Sequence, residues 1–236
     1  MTTIHGNFCT KITRFGVMNS YLLEEADGLT AIDTGMAGSA GAILAAAEAL
    51  GKPIRHVLLT HAHTDHAGSL DELMAHLHDA EFLCSAQTAL FLAGDMHLEK
   101  GQAESKLRGG FIRRNAKVAR ALSDGDQVGS LQVIAAPGHA PGHAPGQLAF
   151  LDTRDGTLYA GDAFQTQGGL AVSGDMRYLF PLPAWATWHR PTALESARKL
   201  AALEPSRLAV GHGPVLENPQ AELGIAIERA DKKFKG

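Results

Sequence analysis

The first half of the chain combines patterns typical of strands with patterns typical of helices. Apolar and polar residues alternate between Thr10 and Thr34, and the dipeptide Asp27-Gly28, a two-residue hairpin signal, interrupts the alternation. We therefore expect two antiparallel strands around this turn. The alanine-rich run from Ser39 to Leu50 predicts a helix, because Gly51 and Pro53 follow it and both residue types end helices.

A short apolar run, Val57 to Thr60, predicts a buried strand that leads directly into a histidine-rich turn. After the turn, Ser69 and Glu72 have the spacing of a capping box, which predicts a helix that continues to about His78. The apolar stretch from Glu81 to Cys84 predicts another short strand. The histidine-rich turn is thus expected between the end of a strand and the start of a helix.

The rest of the chain continues in the same style. Ser85 is expected to cap a further helix, and the span from Asp95 to Leu122 has a helical pattern with poor boundaries. Further patterns predict strands at 127–128, 131–135, 148–152, 157–160 and 207–210, and helices at 191–203 and 219–233. Strands begin each half and helices flank them, so we expect one α/β domain, residues 1–236, in which helices cover packed sheets.

The amino-acid composition of the chain disfavours some classes of binding partner. Hydrophobic residues make up 45% of the 236 residues and charged residues 19%, which is ordinary for a globular protein and too apolar for disorder. A formal charge of −4 provides no general attraction for nucleic acid or an anionic membrane. The first eight residues lack a secretory signal, and Glu48 interrupts the best apolar run. We therefore expect a cytoplasmic protein with a small-molecule substrate.

The histidine-rich turn predicts a metal site. His61, His63, Asp65 and His66 place four potential ligands within six residues of one loop. Imidazole and carboxylate ligands suit Zn²⁺ or another transition metal, whereas Ca²⁺ requires six to eight oxygen ligands. A polar surface loop that is merely rich in histidine is the alternative, and it is disfavoured because distant segments offer further ligands in similar contexts.

Three later segments each place a polar ligand beside glycine after an apolar strand. They contain His139 and His143 in residues 136–146, then Asp162, then His212. Glycine lets the backbone approach a ligand closely or adopt a positive φ. With the first turn, these segments provide seven or eight ligands, which is enough for two metal ions.

In order and spacing these motifs resemble the metallo-β-lactamase-fold hydrolases. The shared features are His-x-His-x-Asp-His after a strand, a Pro-Gly-His turn, Gly-Asp and a late Gly-His, together with opening strands like those at 19–23 and 32–35. The resemblance covers nearly the whole chain. It implies a four-layer αβ/βα sandwich with two metals at one edge of two facing sheets, in the branch that includes glyoxalase II and lactonases and has a bridging Asp.

The resemblance also implies the ligands of each metal. His61, His63 and a histidine of the Pro-Gly-His turn would hold the first, and Asp65, His66 and His212 the second, with Asp162 as the bridge. The Pro-Gly-His unit occurs twice, and the strand that follows favours His143, while His139 stays open as the alternative. Two divalent ions, Zn²⁺ first and Mn²⁺, Co²⁺ or Fe²⁺ as alternatives, would bind a hydroxide nucleophile, with Asp65 and Asp162 setting charge and position.

The resemblance leaves several activities open. We expect cleavage of an ester, lactone or thioester, while a mononuclear-iron sulfur dioxygenase and a β-lactam-hydrolysing enzyme remain alternatives. Asp162 disfavours the last, because true β-lactamases of this fold generally lack that residue. The segment 164–188 is rich in glycine, proline and aromatic residues, so it either forms a lid or apolar wall over the metals or completes the core.

Overall fold

The computed structural model divides the chain into two compact units, each with its own sheet and helices. The first unit comprises Met1–His97 and Phe111–Leu122, and the second comprises Leu98–Gly110 and Ser123–Gly236. The structure describes residues 2–5, 8–98, 102–103, 105–135 and 143–235. Each unit is built from strands and helices, so the expected α/β class is confirmed.

The first unit contains a seven-stranded sheet whose strands lie in chain order. The first four strands are antiparallel, and β4 to β7 are parallel. The strands are β1 (Thr2–His5), β2 (Cys9–Arg14), β3 (Met18–Glu24), β4 (Leu29–Ile32), β5 (Ile54–Leu58), β6 (Glu81–Ser85) and β7 (Arg120–Leu122). Because the carboxyl ends of parallel strands meet at one edge of a sheet, the loops after β4 and β5 are neighbours.

The predicted hairpin between β3 and β4 is present, but its loop is longer than the two residues we expected. Residues 25–28 form it, and the Glu25 N–H donates to the Gly28 carbonyl at 2.9 Å. A Cβ on Gly28 would lie 2.5 Å from the Pro53 carbonyl oxygen. Glycine is therefore required there by the close approach of a neighbouring segment.

Among the residues that the structure describes, four helices connect the strands of the first unit: α1 (Ala40–Leu50), α2 (Thr64–Ala67), α3 (Leu70–His76) and α4 (Ala86–Ala93). Gly51 ends α1 with a φ of 66°, as the glycine signal predicted. The Ser85 hydroxyl accepts a hydrogen bond from the Thr88 N–H, so its predicted role as a cap is confirmed.

The capping box predicted before α3 is wrong, although the helix begins where it was expected. The Ser69 side chain forms no cap hydrogen bond with its own helix. Its hydroxyl instead donates to the Met36 carbonyl at 2.7 Å and accepts from the Ser39 N–H at 2.8 Å. The Ser69 hydroxyl therefore bonds to residues before α1, which are distant in sequence, and it does not cap α3.

The helix predicted from Asp95 to Leu122 is also wrong. None of the described residues between 95 and 119 is helical, and the span ends in β7. Its later part is held by α2 and α3 instead. The Arg114 guanidinium donates to the carbonyls of Ala67 and Gly68 at 2.7 and 2.9 Å, and the Asp71 carboxylate accepts from two backbone N–H groups. Side-chain contacts thus satisfy backbone groups that a helix would have paired internally.

In the described part of the second unit, the strands form a six-stranded sheet and a two-stranded sheet, and there are three helices. Its strands are β8 (Gln127–Val128), β9 (Leu131–Ala135), β10 (Leu148–Asp152), β11 (Thr157–Tyr159), β12 (Phe164–Gln165), β13 (Ala171–Val172), β14 (Arg207–Ala209) and β15 (Leu216–Glu217). Its helices are α5 (Leu182–Ala186), α6 (Arg190–Ala201) and α7 (Gln220–Phe234). The larger sheet has the order β15-β14-β11-β10-β9-β8, and β12 pairs with β13.

Helices α6 and α7 pack on the strands of this unit to form its core. Leu158 and Leu208 from the sheet, Leu200 from α6 and Leu223 from α7 belong to one cluster of buried side chains. Full burial of each leucine contributes about 1.5–3 kcal/mol relative to exposure, so this cluster fixes the helices on the sheet.

No helix among the described residues could cross a membrane. The longest, α7, has 15 residues and is about 22 Å long, whereas a bilayer core is about 30 Å thick.

Candidate metal centre

The histidine-rich turn of the first unit follows β5 and continues into the short helix α2. His61, His63 and His66 are buried, whereas the Asp65 side chain retains 31% of its exposure. His61 Nε2 lies 3.1 Å from His63 Nδ1, and the rings of His61 and His66 are 4.0 Å apart. An Asp65 oxygen lies 3.9 Å from His66 Nε2. The four predicted ligands of this unit therefore lie in one cluster.

Asp33 and Thr60 orient two of these imidazoles. Asp33 follows β4, and its carboxylate accepts hydrogen bonds from the Thr60 N–H and hydroxyl at 2.8 Å each. The same carboxylate lies 2.7 Å from His66 Nδ1, so the ring must donate its Nδ1 proton there. The lone pair of His66 is then on Nε2, the nitrogen that faces Asp65.

The same reasoning applies to His61. The Thr60 hydroxyl has one proton, which it donates to Asp33, so it accepts from His61 Nδ1 at 2.9 Å. The lone pair of His61 is therefore also on Nε2, which faces His63. Metal-binding histidines typically have their other ring nitrogen held by an oxygen in this way.

Asp33 was not among the residues predicted for the site. It is 3% exposed and has a positive φ of 60°, which is rare for any residue but glycine. One sequence signal could have identified Asp33: it comes directly after a strand, as the predicted ligands do. Its partner could not be read from the sequence, because Asp33 and His66 are 33 residues apart.

The second unit contains the other candidate ligands, His143, Asp162 and His212. Asp162 and His212 follow β11 and β14, which are parallel neighbours, and the Gly211 N–H donates to the Gly161 carbonyl beyond the strands. All three side chains are buried. One oxygen of Asp162 lies 3.4 Å from His143 Nε2 and 3.1 Å from His212 Nε2. A single carboxylate thus contacts two imidazoles.

Thr187 orients His143 as Thr60 orients His61. The Thr187 hydroxyl donates its proton to the Pro183 carbonyl at 2.7 Å, so it accepts from His143 Nδ1 at 3.3 Å. The lone pair of His143 is then on Nε2, the nitrogen nearest Asp162. Thr187 was not predicted, since no sequence signal distinguishes a threonine that supports a histidine 44 residues away. The alternative ligand, His139, lies outside the described residues.

The backbone of His212 is fixed by the segment that begins with β12. The N–H groups of Thr166 and Gln167 donate to the His212 carbonyl at 3.0 and 3.2 Å. A Cβ on Gly213 would lie 2.3 Å from the Gln167 nitrogen, and Gly213 has a φ of 108°. The glycine after His212 is therefore needed for this contact.

The donor set fits a divalent transition metal. Each unit presents buried imidazoles and a carboxylate, the ligand types that such an ion prefers, and three of the rings have their Nε2 lone pair turned towards a neighbouring donor. Asp162 places negative charge against two imidazoles without access to water. Buried carboxylates in such surroundings are typically paired with cations or bind metals.

The aromatic residues of segment 164–188 divide between the core and the surface. Phe164, Phe180 and Trp188 are buried, whereas Tyr178 and Trp185 are exposed. The segment also forms β12, β13 and α5, none of which was predicted. Three aromatic residues therefore complete the core, as one of the two readings expected, while the reading of the segment as a lid or apolar wall over the metals stays a prediction.

Comparison with known proteins supports the expected family. Residues 13–212 match the sequence profile described as the metallo-beta-lactamase superfamily. An uncharacterized protein of Bacillus subtilis, YobT, is 44% identical over 216 residues, which cover 91% of each chain. The probable metallo-hydrolase YflN of the same organism is 33% identical and covers 84% of this chain and 81% of its own length.

A functionally named relative and a solved structure are more distant. The hydroxyacylglutathione hydrolase of Rhodospirillum rubrum is 29% identical over 82% of this chain and 60% of its own. The crystal structure of TTHA1623 in a di-iron-bound form has a TM-score of 0.65 and 25% identity, and the match covers 91% of this chain and 96% of that one. The matched motifs, the ligand geometry of each unit and the fold show that this chain belongs to the metallo-beta-lactamase superfamily.

Proposed function

We propose that this chain is a hydrolase that uses two divalent metal ions to cleave a small ester, lactone or thioester. The observation that carries the proposal is the orientation of the buried imidazoles. His61, His66 and His143 each have Nδ1 held by an oxygen and Nε2 turned towards another candidate ligand. This arrangement supports metal binding more strongly than a set of surface histidines would.

The proposed ligands follow the family pattern. His61, His63 and His143 would hold one ion, Asp65, His66 and His212 would hold the other, and Asp162 would bridge them. The contact of one Asp162 oxygen with the Nε2 atoms of both His143 and His212 supports the bridging role. We propose Zn²⁺ as the first candidate; Fe²⁺, Mn²⁺ and Co²⁺ accept the same ligands, and TTHA1623 was solved with two irons.

When bound, the ions would supply Lewis acidity and lower the pKa of a coordinated water towards about 7. The protein's own residues determine where this chemistry acts. Asp162 and Asp65 carry negative charge that offsets the cations, and Asp33 and Thr60 prevent His66 and His61 from rotating. Asp65 is exposed enough to face an incoming substrate, whereas the imidazoles are shielded from solvent.

The substrate class is supported by the relatives. YflN is named a probable metallo-hydrolase, and the name of the Rhodospirillum rubrum relative refers to hydrolysis of an acyl group from glutathione. Asp162 disfavours a β-lactam substrate, as the family pattern implies. Acyl esters, lactones and thioesters share the carbonyl that such a site would polarise.

A hydrolysis panel tests this proposal. Metal-replete protein is expected to cleave at least one ester, lactone or thioester, to lose this activity on chelation and to regain it with Zn²⁺, Mn²⁺ or Co²⁺. Asp162→Asn and Asp65→Asn should each lower kcat/KM by about a hundredfold or more, a loss of about 3 kcal/mol of transition-state stabilisation. Asp231→Asn, which alters an exposed ion pair on α7, is the matched control and should retain activity.

Two results would contradict the proposal. Full activity of the chelated protein would exclude metal-dependent hydrolysis. Oxygen uptake with a persulfide, in a protein that contains one iron and hydrolyses no member of the panel, would establish the sulfur dioxygenase alternative instead.

A further inference from the structure

Helix α2 is too short to hold the histidine-rich turn of the first unit by itself. It has four residues, and isolated helices shorter than about 12 residues are marginal in water. His63 occupies its N-cap position with an extended backbone, φ −64° and ψ 149°, and the side chain forms no cap hydrogen bond. Contacts from elsewhere in the first unit are therefore needed to fix His63, and residues 111–116, which we call the clamp segment, supply several of them.

The clamp segment contacts both ends of the turn. At the start, the backbone of Phe111 pairs with that of His63 in an isolated antiparallel bridge, and the two rings lie with centroids 4.9 Å apart at an interplanar angle of 68°. Aromatic rings favour such an edge-to-face arrangement. At the end, the Arg114 guanidinium donates to the carbonyls of Ala67 and Gly68 at 2.7 and 2.9 Å. One segment therefore holds the turn from His63 to Gly68 at both ends.

The clamp segment is itself anchored to α4 and α3. The Arg114 N–H donates to the Leu92 carbonyl at 2.8 Å. The Phe111 ring packs against the buried Phe91 ring with centroids 5.2 Å apart. The Asp71 carboxylate accepts from two further backbone N–H groups of the segment at 2.8 Å each. Because its own position is fixed by two helices, the segment can restrict the movement of the turn that it contacts.

The ring of His63 is oriented differently from those of His61 and His66. Hydrogen bonds from Nδ1 to the Thr60 hydroxyl and to the Asp33 carboxylate orient His61 and His66. In His63, the Nδ1 atom lies 3.1 Å from His61 Nε2, the nitrogen that carries the lone pair of His61. His63 thus presents Nδ1 to its neighbouring ligand, so this atom is not free to orient the ring through an oxygen. Contact with the Phe111 ring constrains the His63 ring in another way.

We propose that Phe111 and Arg114 are positioning residues of the metal centre, which keep His63 in the orientation that binds the ion. Phe111 limits rotation of the imidazole, and Arg114 limits movement of the turn. A ligand that is already in place needs less ordering when the ion binds, so metal affinity should depend on both residues. This inference rests on the metal binding of the proposed function and not on its substrate.

Titration of the metal-free protein with Co²⁺ tests this inference, because the visible absorption of the bound ion reports its coordination geometry. Phe111→Leu keeps an apolar side chain but removes the ring, and Arg114→Lys keeps the charge but loses the planar pair of donors. Each should weaken Co²⁺ binding about 3- to 10-fold and change the absorption spectrum of the bound ion.

Ile112→Ala and Arg113→Lys are the matched controls. Both side chains are exposed and belong to the clamp segment, and that of Ile112 retains 46% of its exposure. Their replacement should leave the Co²⁺ affinity and the spectrum as in wild type. Thermal unfolding of each metal-free variant measures the change in stability separately from the change in metal binding.

The outcomes separate this inference from the proposed function. Unchanged Co²⁺ affinity and spectrum in both Phe111→Leu and Arg114→Lys, even with a lowered Tm, would show a purely structural role and overturn the inference, leaving the hydrolase intact. Equal weakening in the two controls would also overturn it. Altered Co²⁺ binding confined to Phe111→Leu and Arg114→Lys, in a protein whose wild type hydrolyses nothing, would support the positioning role and contradict the hydrolase. A wild type that binds no Co²⁺ would contradict both.

Discussion

Asp33 shows how one buried carboxylate can organise part of a metal centre without being a ligand. It binds the Thr60 hydroxyl and His66 Nδ1 together, and through Thr60 it also sets the proton position of His61. The orientation of both imidazole rings, those of His61 and His66, therefore depends on the Asp33 carboxylate. Buried carboxylates that support ligands in this way typically change metal affinity about 10- to 100-fold when they are replaced.

We predict that Asp33→Asn weakens metal binding about 10- to 100-fold. The amide can offer its NH₂ group to His66, which would favour the wrong ring tautomer and turn the lone pair away from Asp65. Competition with a chelator measures the affinity, and far-ultraviolet circular dichroism checks that the fold persists. Asp79→Asn, at a carboxylate that is 87% exposed, is the control. Equal affinities for wild type and Asp33→Asn would show that Asp33 does not orient the ligand.

At the scale of elements, the loops after parallel strands carry Asp33 and all the described candidate ligands except His143. β4 and β5 are parallel neighbours in the first unit, and β11 and β14 are parallel neighbours in the second. Their carboxyl ends precede Asp33, His61, Asp162 and His212 respectively. Motifs far apart in the chain thus meet because strand pairing aligns the ends of their strands.

A second element-scale feature joins α7 to the segment after β13. Asp175 is buried and accepts hydrogen bonds from Arg229 at 2.5 Å and Lys233 at 2.6 Å. Burial by itself raises the pKa of Asp175, but the hydrogen bonds and charges of Lys233 and Arg229 outweigh it, so the pKa lies below its ordinary value. These two ion pairs tie α7 to the segment that follows β13.

We predict that Asp175→Asn lowers the free energy of unfolding at neutral pH by about 2 kcal/mol, since hydrogen bonds to charged groups are lost. A lowered pKa in the folded state stabilises the protein fully above the unfolded pKa of about 3.9, and this stabilisation is lost as the pH falls through the folded pKa. The difference between wild type and variant should thus be constant above about pH 5 and shrink below about pH 4.

Urea unfolding across this pH range measures the difference. Asp231→Asn replaces a partly exposed residue of α7 that pairs with the more exposed Arg198 and Lys235, and it should change stability much less. A gap between wild type and Asp175→Asn that did not shrink as the pH fell below about 4 would contradict an ionised Asp175 as its source.

At the scale of the whole molecule, the proposed ligands come from both units, so bound metal should stabilise the folded state of the entire chain. Free metal at about a hundred times Kd adds about 2.7 kcal/mol, which raises the Tm of a chain of this size by about 5–10 °C. Thermal unfolding with Zn²⁺ and with excess chelator measures the shift. His66→Ala should lose most of it, and an unchanged Tm in wild type would contradict the proposed ligand set.

The sequence alone identified most elements and all the candidate ligands, because both depend on local patterns. Strands and helices follow from the spacing of apolar residues, and the ligands follow from short motifs at strand ends. The superfamily could be recognised for the same reason. The choice between His139 and His143 stays a prediction: His143 contacts Asp162 and Thr187, and His139 lies outside the described residues.

Tertiary structure decided the features that depend on distant contacts. Asp33 and Thr187 became supports of histidines only when strand pairing and the segment around α5 brought them within hydrogen-bond reach. The helical pattern between 95 and 119 was overridden by tertiary contacts: Arg114 donates to the Ala67 carbonyl at the end of α2, and Asp71 accepts from the N–H groups of Asn115 and Ala116. Burial of Phe180 and exposure of Trp185 were likewise set by packing, since residue type alone does not determine which aromatic side chain the rest of the chain covers.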